Sequence, residues 1–560
     1  MARVDVSPPP RTRPAARALL LVLSAACAPS KPTSSPDGAG ADDDTAGALD
    51  DSGGQDTGAG PPPSCPPPRM TLVQRLDAPE LPARADLSKA EHGAALGDLD
   101  ADGDLDALVA WEGGSFIAEN DGTGVFRVDD TWTVDGAPLP PATTASLLDL
   151  DDDGDLDGFL GRSEGVDLIL WNDAPGRWRG APLDGDEGGS FAAAFGDIDS
   201  DGDLDLLISS RPAEIFSEQF IDGTLRGLPN HLYVREGDTF TWADERLPVA
   251  DNRGVTFQAA LVDVDNDGDL DIYEVNDGGY QVQPNGLWLN DGTGRYTVAP
   301  DCACERPMYA MGLVFSDWSG DLLPDFFVSN IGPQLYLQSD GPARYVDMGL
   351  ALGAGIPLGD THLTSWGMSV TDLDRDGYDD IYVTFGRSES DIERVYGTLP
   401  GTDPTWNDDD AQFDAVLRAL PDGRFEAALD IGLETATGRQ RSVSFGDLDG
   451  DGDDDAFVTG KHDVRSWITD GGCDTGIGVR IDGPPENPHG IGARVSVWRR
   501  GRVQTRWVSP GRYHGADDPR LLFGLAGADA ADRVEVLFPD GTTLTEDSVS
   551  AGELRVAWRR

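Results

Sequence analysis

One nine-residue pattern, D-x-D-x-D-G-x-x-D, recurs along the 560-residue chain and constrains its fold more than any other feature. Successive copies begin 48 to 75 residues apart, which is the spacing of a repeat architecture with one copy in each structural unit. The fifth copy is degenerate, since Ser319 replaces an Asp and Leu322 replaces the Gly. The seven copies begin at Asp98, Asp149, Asp197, Asp263, Asp317, Asp372 and Asp447.

The pattern predicts a calcium loop. Carboxylates at positions one, three, five and nine, with a main-chain carbonyl at position seven, can surround one hard cation with oxygen at about 2.3–2.6 Å. Glycine at position six permits the turn, and zinc is disfavoured because the loops contain no His or Cys. We predict about six calcium ions, or seven if the degenerate copy also binds. The predicted ligands, copy by copy, are Asp98, Asp100, Asp102, Asp104 and Asp106; Asp149, Asp151, Asp153, Asp155 and Asp157; Asp197, Asp199, Asp201, Asp203 and Asp205; Asp263, Asp265, Asp267, Asp269 and Asp271; Asp372, Asp374, Asp376, Tyr378 and Asp380; Asp447, Asp449, Asp451, Asp453 and Asp455; and, in the degenerate copy, Asp317, Ser319, Asp321 and Asp325.

An EF-hand is the main alternative for such a loop, and the sequence excludes it. Only the fourth copy has the required acid at position twelve, Glu274, whereas the other six copies have Val, Leu or Ile there. The segments after the loops, such as ALVAW and IYVTF, are typical of β-strands rather than helices. Each loop should therefore connect two strands, with calcium in a structural role.

These segments resemble FG-GAP/VCBS repeats, the calcium-loop repeats also seen in integrin α-subunit propellers. The turns NDGTGVF at 120–126 and NDGTGRY at 290–296 resemble a second mark of the same repeats, and a weaker copy lies at 420–425. The resemblance implies an all-β fold, a seven-bladed β-propeller over residues 69–475. The segment 70–76 reads as a strand that completes the seventh blade.

The cysteines fit an exported chain, in which disulfides are favoured. Cys65 and Cys473 flank the two ends of the propeller, so a disulfide between them would clamp the ring. Cys302 and Cys304 could form a local disulfide, bind a soft metal or stay reduced.

The segment 476–560 has a different composition from the propeller. Residues 474–560 contain 12 Arg and 12 acidic residues, whereas the whole chain has a net charge of -59. Such acidity argues against nucleic-acid binding and against adsorption to anionic lipid.

The segments 487–495, 518–525 and 534–541 resemble the ASPIC/UnbV module. A propeller followed by this module is the arrangement of cartilage acidic protein-like proteins, which implies an extracellular, calcium-binding protein without a settled activity.

The N-terminal segment indicates export. Residues 1–27 have four Arg, a short apolar run and the ending LSAAC, which resembles a bacterial lipoprotein box with Cys27 as the acylated residue. The alternative is an ordinary signal peptide. Residues 28–68 are rich in Pro, Gly and Asp and should form a disordered tether. We expect an outer-membrane or cell-surface lipoprotein, or otherwise a secreted or periplasmic protein.

Recognition should use the face opposite the calcium loops, where the long insertions 211–229 and 387–410 emerge. Candidate contacts are Phe216, Phe220, Tyr396 and Trp406, although the insertions could also be tolerated without a role. The expected partner is an extracellular protein or glycan, bound by a monomer that meets a membrane only through a lipid anchor.

The sequence shows no catalytic motif among its six His residues. We therefore expect a non-enzymatic binding or adhesion protein. One alternative is a structural component of the cell surface. A less favoured one is a propeller lyase or hydrolase that uses His362 and Asp360.

Overall fold

A computed structural model describes residues 65–77, 92–174, 176–185, 188–213, 219, 223–248, 250, 252–355, 363–386, 412–509 and 511–559. The chain divides into two units, Met1–Gly60 and Pro61–Arg560, and the description below concerns the second. Within the described ranges, no helix has both the length and the apolar character needed to cross a membrane.

Strands dominate the described residues, and most of them belong to seven antiparallel sheets, one for each copy of the nine-residue pattern. In each sheet the pattern connects the first strand to the second. The strands of these sheets are β1 (Pro68–Asp77), β2 (His92–Gly97), β3 (Asp106–Trp111), β4 (Phe116–Asn120), β5 (Phe126–Asp129), β6 (Thr133–Val134), β7 (Ala137–Pro138), β8 (Thr144–Leu148), β9 (Asp157–Gly161), β10 (Leu168–Ala174), β11 (Arg177–Pro182), β12 (Ser190–Gly196), β13 (Asp205–Ser210), β14 (His231–Glu236), β15 (Thr239–Trp242), β16 (Thr256–Val262), β17 (Asp271–Asn276), β18 (Gly286–Asn290), β19 (Tyr296–Val298), β20 (Leu313–Ser316), β21 (Asp325–Val328), β22 (Leu335–Ser339), β23 (Tyr345–Asp347), β24 (Ser365–Thr371), β25 (Asp380–Phe385), β26 (Ala415–Ala419), β27 (Phe425–Ala428), β28 (Gln440–Gly446), β29 (Asp455–Gly460) and β30 (Asp463–Gly471).

The sheets form a closed, β-propeller-like arrangement. The first strand of each sheet packs against the first strand of the next, and β28 of the last sheet packs against β2 of the first. Short helical turns occur at Asp244–Arg246, Gly349–Leu352 and Leu433–Thr435. Small residues let the first strands approach closely: a Cβ built on Gly97 in β2 would lie 2.4 Å from a Leu156 methyl of the next sheet.

The N-terminal strand closes the ring, as the sequence predicts. Strand β1 is the outer strand of the last sheet and pairs with β30 in antiparallel register from Pro68↔Gly471 to Asp77↔Asp463. Cys65 and Cys473 form a disulfide beside this pairing, with Cα atoms 5.0 Å apart. Of the alternatives for Cys302 and Cys304, the structure has the local disulfide, with both residues buried in the core.

The C-terminal segment forms two further sheets and a small hairpin. Its hydrophobic core is continuous with that of the second and third propeller sheets, where Ile477 and Val536 share a cluster with Phe159 and Phe195. The strands are β31 (Gly476–Asp482), β32 (Arg494–Arg499), β33 (Arg502–Trp507), β34 (Gly511–Arg512), β35 (Gly515–Ala516), β36 (Leu521–Gly524), β37 (Arg533–Leu537), β38 (Thr543–Asp547) and β39 (Gly552–Ala557).

The hairpin β34–β35 lies among the first strands of the propeller sheets. Ala516 pairs with Ala95 of β2, and the Ser442 hydroxyl of β28 donates to the Tyr513 carbonyl at 2.6 Å. The Tyr513 ring stacks on Phe257 of β16, and Tyr513 is fully buried. The hairpin therefore fills space that the first strands surround.

Candidate metal centres

The Asp at position nine is the first residue of the second strand, and in every loop except the sixth main-chain donors hold both its oxygens. In the first loop, Asp106 Oδ2 accepts from the Leu99 N–H (3.1 Å) and Oδ1 from the Asn120 N–H (2.9 Å). The same two bonds recur at Asp157, Asp205, Asp271 and Asp455. This carboxylate therefore joins the loop to the third strand of its sheet.

The turn of each loop depends on left-handed backbone at two positions. The glycine at position six has φ between 92° and 109° in the six regular copies, and in the first loop its N–H donates to Asp98 Oδ2 at 3.2 Å. The residue at position four is also left-handed, as at Ala101 (φ 62°) and Arg375 (φ 52°). The sequence pattern gave no sign of this second position, because its residue type varies. Such backbone costs an L-residue roughly 1–2 kcal/mol, so the loop needs compensating contacts.

The loops bring the carboxylates of positions one, three and nine together. In each of five copies the three groups place ligand oxygens within 4.8 Å of one another. These sets are Asp98, Asp100 and Asp106; Asp149, Asp151 and Asp157; Asp197, Asp199 and Asp205; Asp263, Asp265 and Asp271; and Asp372, Asp374 and Asp380. Three acids at this separation are a suitable ligand set for a hard cation.

Position five contributes to the turn as well. Asp102 Oδ1 accepts from the N–H of position seven, Asp104, at 3.0 Å, and the equivalent bond recurs in the second, third, fourth and seventh loops.

Burial makes the position-nine carboxylates costly to ionise without a cation. Loss of hydration, which the neighbouring carboxylates reinforce, raises the pKa of Asp106 and Asp157 to about 7. The same causes raise the pKa of Asp205 and Asp271 to about 8 and that of Asp455 to about 9. The two N–H donors at each group oppose this rise but do not cancel it. A divalent cation would supply the missing counter-charge.

In each of five loops, a carboxylate oxygen of position one or position three is buried without a hydrogen-bond partner. A buried acceptor in this state costs free energy unless another ligand engages it. Four of these oxygens belong to position one or three of the converging sets given above, so the residues present there fit a bound cation. The atoms are Oδ1 of Asp98, Asp149, Asp199, Asp265 and Asp449.

The degenerate fifth loop satisfies its acids internally. Asp317 Oδ1 accepts from the Gly320 N–H at 2.7 Å, and Oδ2 accepts from the Leu322 N–H at 2.9 Å. Asp325 accepts from the Ser319 and Ser339 N–H groups, both at 2.7 Å. Leu322 adopts the left-handed conformation (φ 68°) that glycine has elsewhere. The loop keeps its shape through these bonds, and its fit to a cation is poorer.

The N-D-G-x-G turns connect neighbouring sheets. Asn120 donates through Nδ2 to the carbonyl of Leu448, which is position two of the seventh loop, at 2.8 Å. Asn290 makes the same bond to Ile198 in the third loop, also at 2.8 Å. The turns therefore fix the loop of the preceding sheet, a role that the sequence did not reveal.

The predicted recognition residues lie mostly beyond the part of the chain that can be described. Phe216, Phe220, Tyr396, Trp406, His362 and Cys27 all fall outside the described residues. On the same face, Tyr280 lies in the connection between β17 and β18 and is 65% exposed. Its ring centroid is 5.6 Å from that of Tyr309, and the sequence analysis did not single out this pair.

Comparison with protein families identifies both regions. The family described as FG-GAP-like repeat matches residues 149–208 and 263–328, and the family described as ASPIC and UnbV matches residues 483–556. The chain is built from FG-GAP-like repeats and an ASPIC/UnbV domain. The FG-GAP matches span the second to fifth loops, and the ASPIC/UnbV match covers most of the C-terminal sheets.

The remaining comparisons concern how the chain compares with curated sequences and with solved structures. No curated protein sequence matches it. Among solved structures, it is similar to a lectin from Agrocybe aegerita that recognises non-reducing terminal N-acetylglucosamine (16% identity over 66% of this chain and 74% of that chain, TM-score 0.29). It is also similar to a fungal alcohol oxidase of the AA5 family in complex with copper (10% identity over 86% of this chain and 99% of that chain, TM-score 0.43). A third similar structure is the V. cholerae biofilm matrix protein Bap1 (14% identity over 86% of this chain and 62% of that chain, TM-score 0.25). At these TM-scores the similarities carry no information about function.

Proposed function

We propose that this protein is a non-enzymatic, extracytoplasmic binding protein whose propeller is stabilised by calcium. The observation that carries the proposal is the buried, unpartnered carboxylate oxygen in each of five loops. Calcium would be held by positions one, three and nine, and its positive charge would offset the burial of three acids. The occurrence of FG-GAP repeats, which are typical of extracellular proteins, supports a compartment with millimolar calcium.

Recognition is proposed for the face opposite the calcium loops. Tyr280 is exposed there, and its ring lies beside that of the half-buried Tyr309. An aromatic face can stack against a sugar ring or an apolar side chain, so a glycan or a protein is the expected partner. The buried hairpin with Tyr513 occupies the space between first strands, which favours a surface site over an enclosed active site. A structural role at the cell surface is the alternative, and it needs no ligand at this face.

Calcium removal from the full chain tests the first part. If each site is occupied at 100 times its dissociation constant, each adds about 2.7 kcal/mol. Several such sites together would match a typical folding stability of about 5–15 kcal/mol, so the chain should unfold in excess EDTA. Thermal unfolding in millimolar calcium and in EDTA, with bound metal counted by native mass spectrometry, measures this. An unchanged melting curve with no bound calcium would refute calcium stabilisation.

A glycan array probed with the full chain in calcium tests the second part. We expect Tyr280→Ala to lose binding while its melting temperature stays at the wild-type value. Leu350→Ala is the matched control, because Leu350 is 92% exposed in the short helix Gly349–Leu352 and belongs to a different connection from either tyrosine. Binding that survives Tyr280→Ala would refute a role for this aromatic pair. No binding to any glycan would favour a protein partner or the structural alternative.

A further inference from the structure

The sixth loop, Asp372–Asp380, has the full sequence pattern but different surroundings. All three of its converging carboxylates, on Asp372, Asp374 and Asp380, are buried, whereas in the first loop Asp98 is half-buried and Asp100 is exposed. Because these carboxylates are buried, water cannot solvate their negative charges. Their counter-charge must come from the protein or from a bound ion.

An arginine from the same sheet supplies that charge. Arg418, in β26, forms an ion pair with Asp374, and its Nη2 lies 3.9 Å from Asp376 Oδ2. An arginine guanidinium is charged throughout the physiological pH range, so Arg418 brings a positive charge to this loop. The guanidinium lies next to Oδ2 of Asp374, the position-three carboxylate that a bound ion would otherwise use.

The C-terminal domain engages the first acid of the same loop. Asp372 Oδ2 accepts from Gln504 Nε2 (2.8 Å), from the Gly524 N–H (3.0 Å) and from the Gly377 N–H (2.9 Å). Asp372 Oδ1 accepts from the Asp376 N–H at 3.0 Å. In the first loop, by contrast, Asp98 Oδ1 has no partner. The buried oxygens of the sixth loop without a hydrogen bond are Asp376 Oδ1 and Asp380 Oδ2, which belong to positions five and nine, and the other oxygen of Asp376 lies 3.9 Å from Arg418 Nη2.

We propose that the guanidinium of Arg418 takes the place of a metal ion in the sixth loop. This inference rests on the proposed calcium stabilisation of the other loops. A second cation at Asp374 would be repelled by the guanidinium already in contact with it. The chain then binds calcium in the loops that begin at Asp98, Asp149, Asp263 and Asp447. It also binds calcium in the loop that begins at Asp197, where Arg246 pairs with Asp199 Oδ2 but leaves Oδ1 without a partner. The sixth loop, together with the domain docked on it, is held without calcium.

Native mass spectrometry of the full chain in calcium, which resolves single bound ions, tests this. Asp100→Asn and Asp374→Asn remove the position-three acid of the first and sixth loops, so they are a matched pair. We expect Asp100→Asn to bind one calcium ion fewer than the wild type, and Asp374→Asn to bind the same number. If Asp374→Asn also lost one ion, the inference would be overturned.

Charge variants give a second test. Arg418→Lys keeps the cation and should keep the wild-type number of ions, whereas Arg418→Gln should gain one ion. Arg424→Gln is the control, because Arg424 lies on the same hairpin but forms an exposed pair with Asp422. If Arg418→Gln does not fold, the Asp100→Asn and Asp374→Asn counts still decide. A wild-type protein without any bound calcium would refute the proposed calcium stabilisation itself and this inference with it.

Discussion

The first and sixth loops share one sequence pattern but differ in what faces their carboxylates. In the loop that begins at Asp98, a position-one oxygen is buried without a partner, and the position-three acid, Asp100, is exposed. In the loop that begins at Asp372, Gln504 and Arg418 contact the equivalent acids. The pattern therefore specifies a turn with converging acids. Whether an ion completes that turn depends on residues more than forty positions away in the sequence.

The largest expected effect comes from pushing the C-terminal domain off the sixth loop. A Cβ at Gly524 would lie 2.3 Å from Asp372 Oδ2 and 2.4 Å from the Arg375 carbonyl carbon, so Gly524→Ala cannot be accommodated without movement. We expect a loss of about 3 kcal/mol or more in the free energy of unfolding. Hydrogen exchange should become faster in the sixth loop and stay unchanged in the first.

Gly355→Ala is the control for this change, since the nearest atom to its added Cβ is 3.9 Å away. Denaturant unfolding in saturating calcium should place it within about 1 kcal/mol of the wild type. Equal losses in the two variants would show that the domain does not hold the sixth loop.

The position-nine acids give the next comparison. Asp106 and Asp325 each accept two main-chain N–H groups, but only Asp106 belongs to a loop with an unpartnered oxygen. Asparagine at either position disturbs one of these bonds. Only Asp106→Asn should also lose an ion, which adds about 2.7 kcal/mol if the site is occupied at 100 times its dissociation constant. Denaturant unfolding at several calcium concentrations measures the excess destabilisation of Asp106→Asn over Asp325→Asn. This excess should vanish at low calcium. An excess that is independent of calcium would contradict the ion in the first loop.

The sequence predicted the turn better than it predicted the site. The acids at positions one and nine, the glycine at position six and the closing strand β1 all follow from local residue types, which act within one loop or one sheet. Gln504 and Arg418 could not be found in this way. Their effect on the sixth loop depends on the docking of a separate domain and on the side-chain direction in β26. The pairing of Tyr280 with Tyr309 likewise joins two connections that have no shared motif.

The buried acid of the fifth loop, Asp325, should make the stability of the protein depend on pH even when no calcium is present. Burial, with further contributions from neighbouring acids, raises the pKa of Asp325 to about 8. Because this pKa lies above the unfolded value, the folded chain binds the extra proton. Stability is therefore greatest below the unfolded pKa and falls as pH rises toward 8. Asparagine at this position cannot titrate. The loss of unfolding free energy caused by Asp325→Asn should therefore shrink from pH 4 to pH 8, by at most about 1.4 kcal/mol per pH unit. Unfolding of both proteins across that range tests this, and a constant difference would contradict it.

The smallest expected effect comes from removing the Gln504 side chain, which tests whether hydrogen bonds or a bound ion hold the sixth loop. Gln504 Nε2 donates to Asp372 Oδ2 at 2.8 Å and lies 3.4 Å from Asp379 Oδ1. Since Asp372 keeps its main-chain donors, Gln504→Ala should cost only about 1–2 kcal/mol, and the number of bound calcium ions should not change. Gln338→Ala, at a half-buried position of β22, is the matched control and should stay within about 0.5 kcal/mol of the wild type. If Gln504→Ala bound one ion fewer, its contact with Asp372 would be supporting a metal site, and the two loops would differ less than their surroundings indicate.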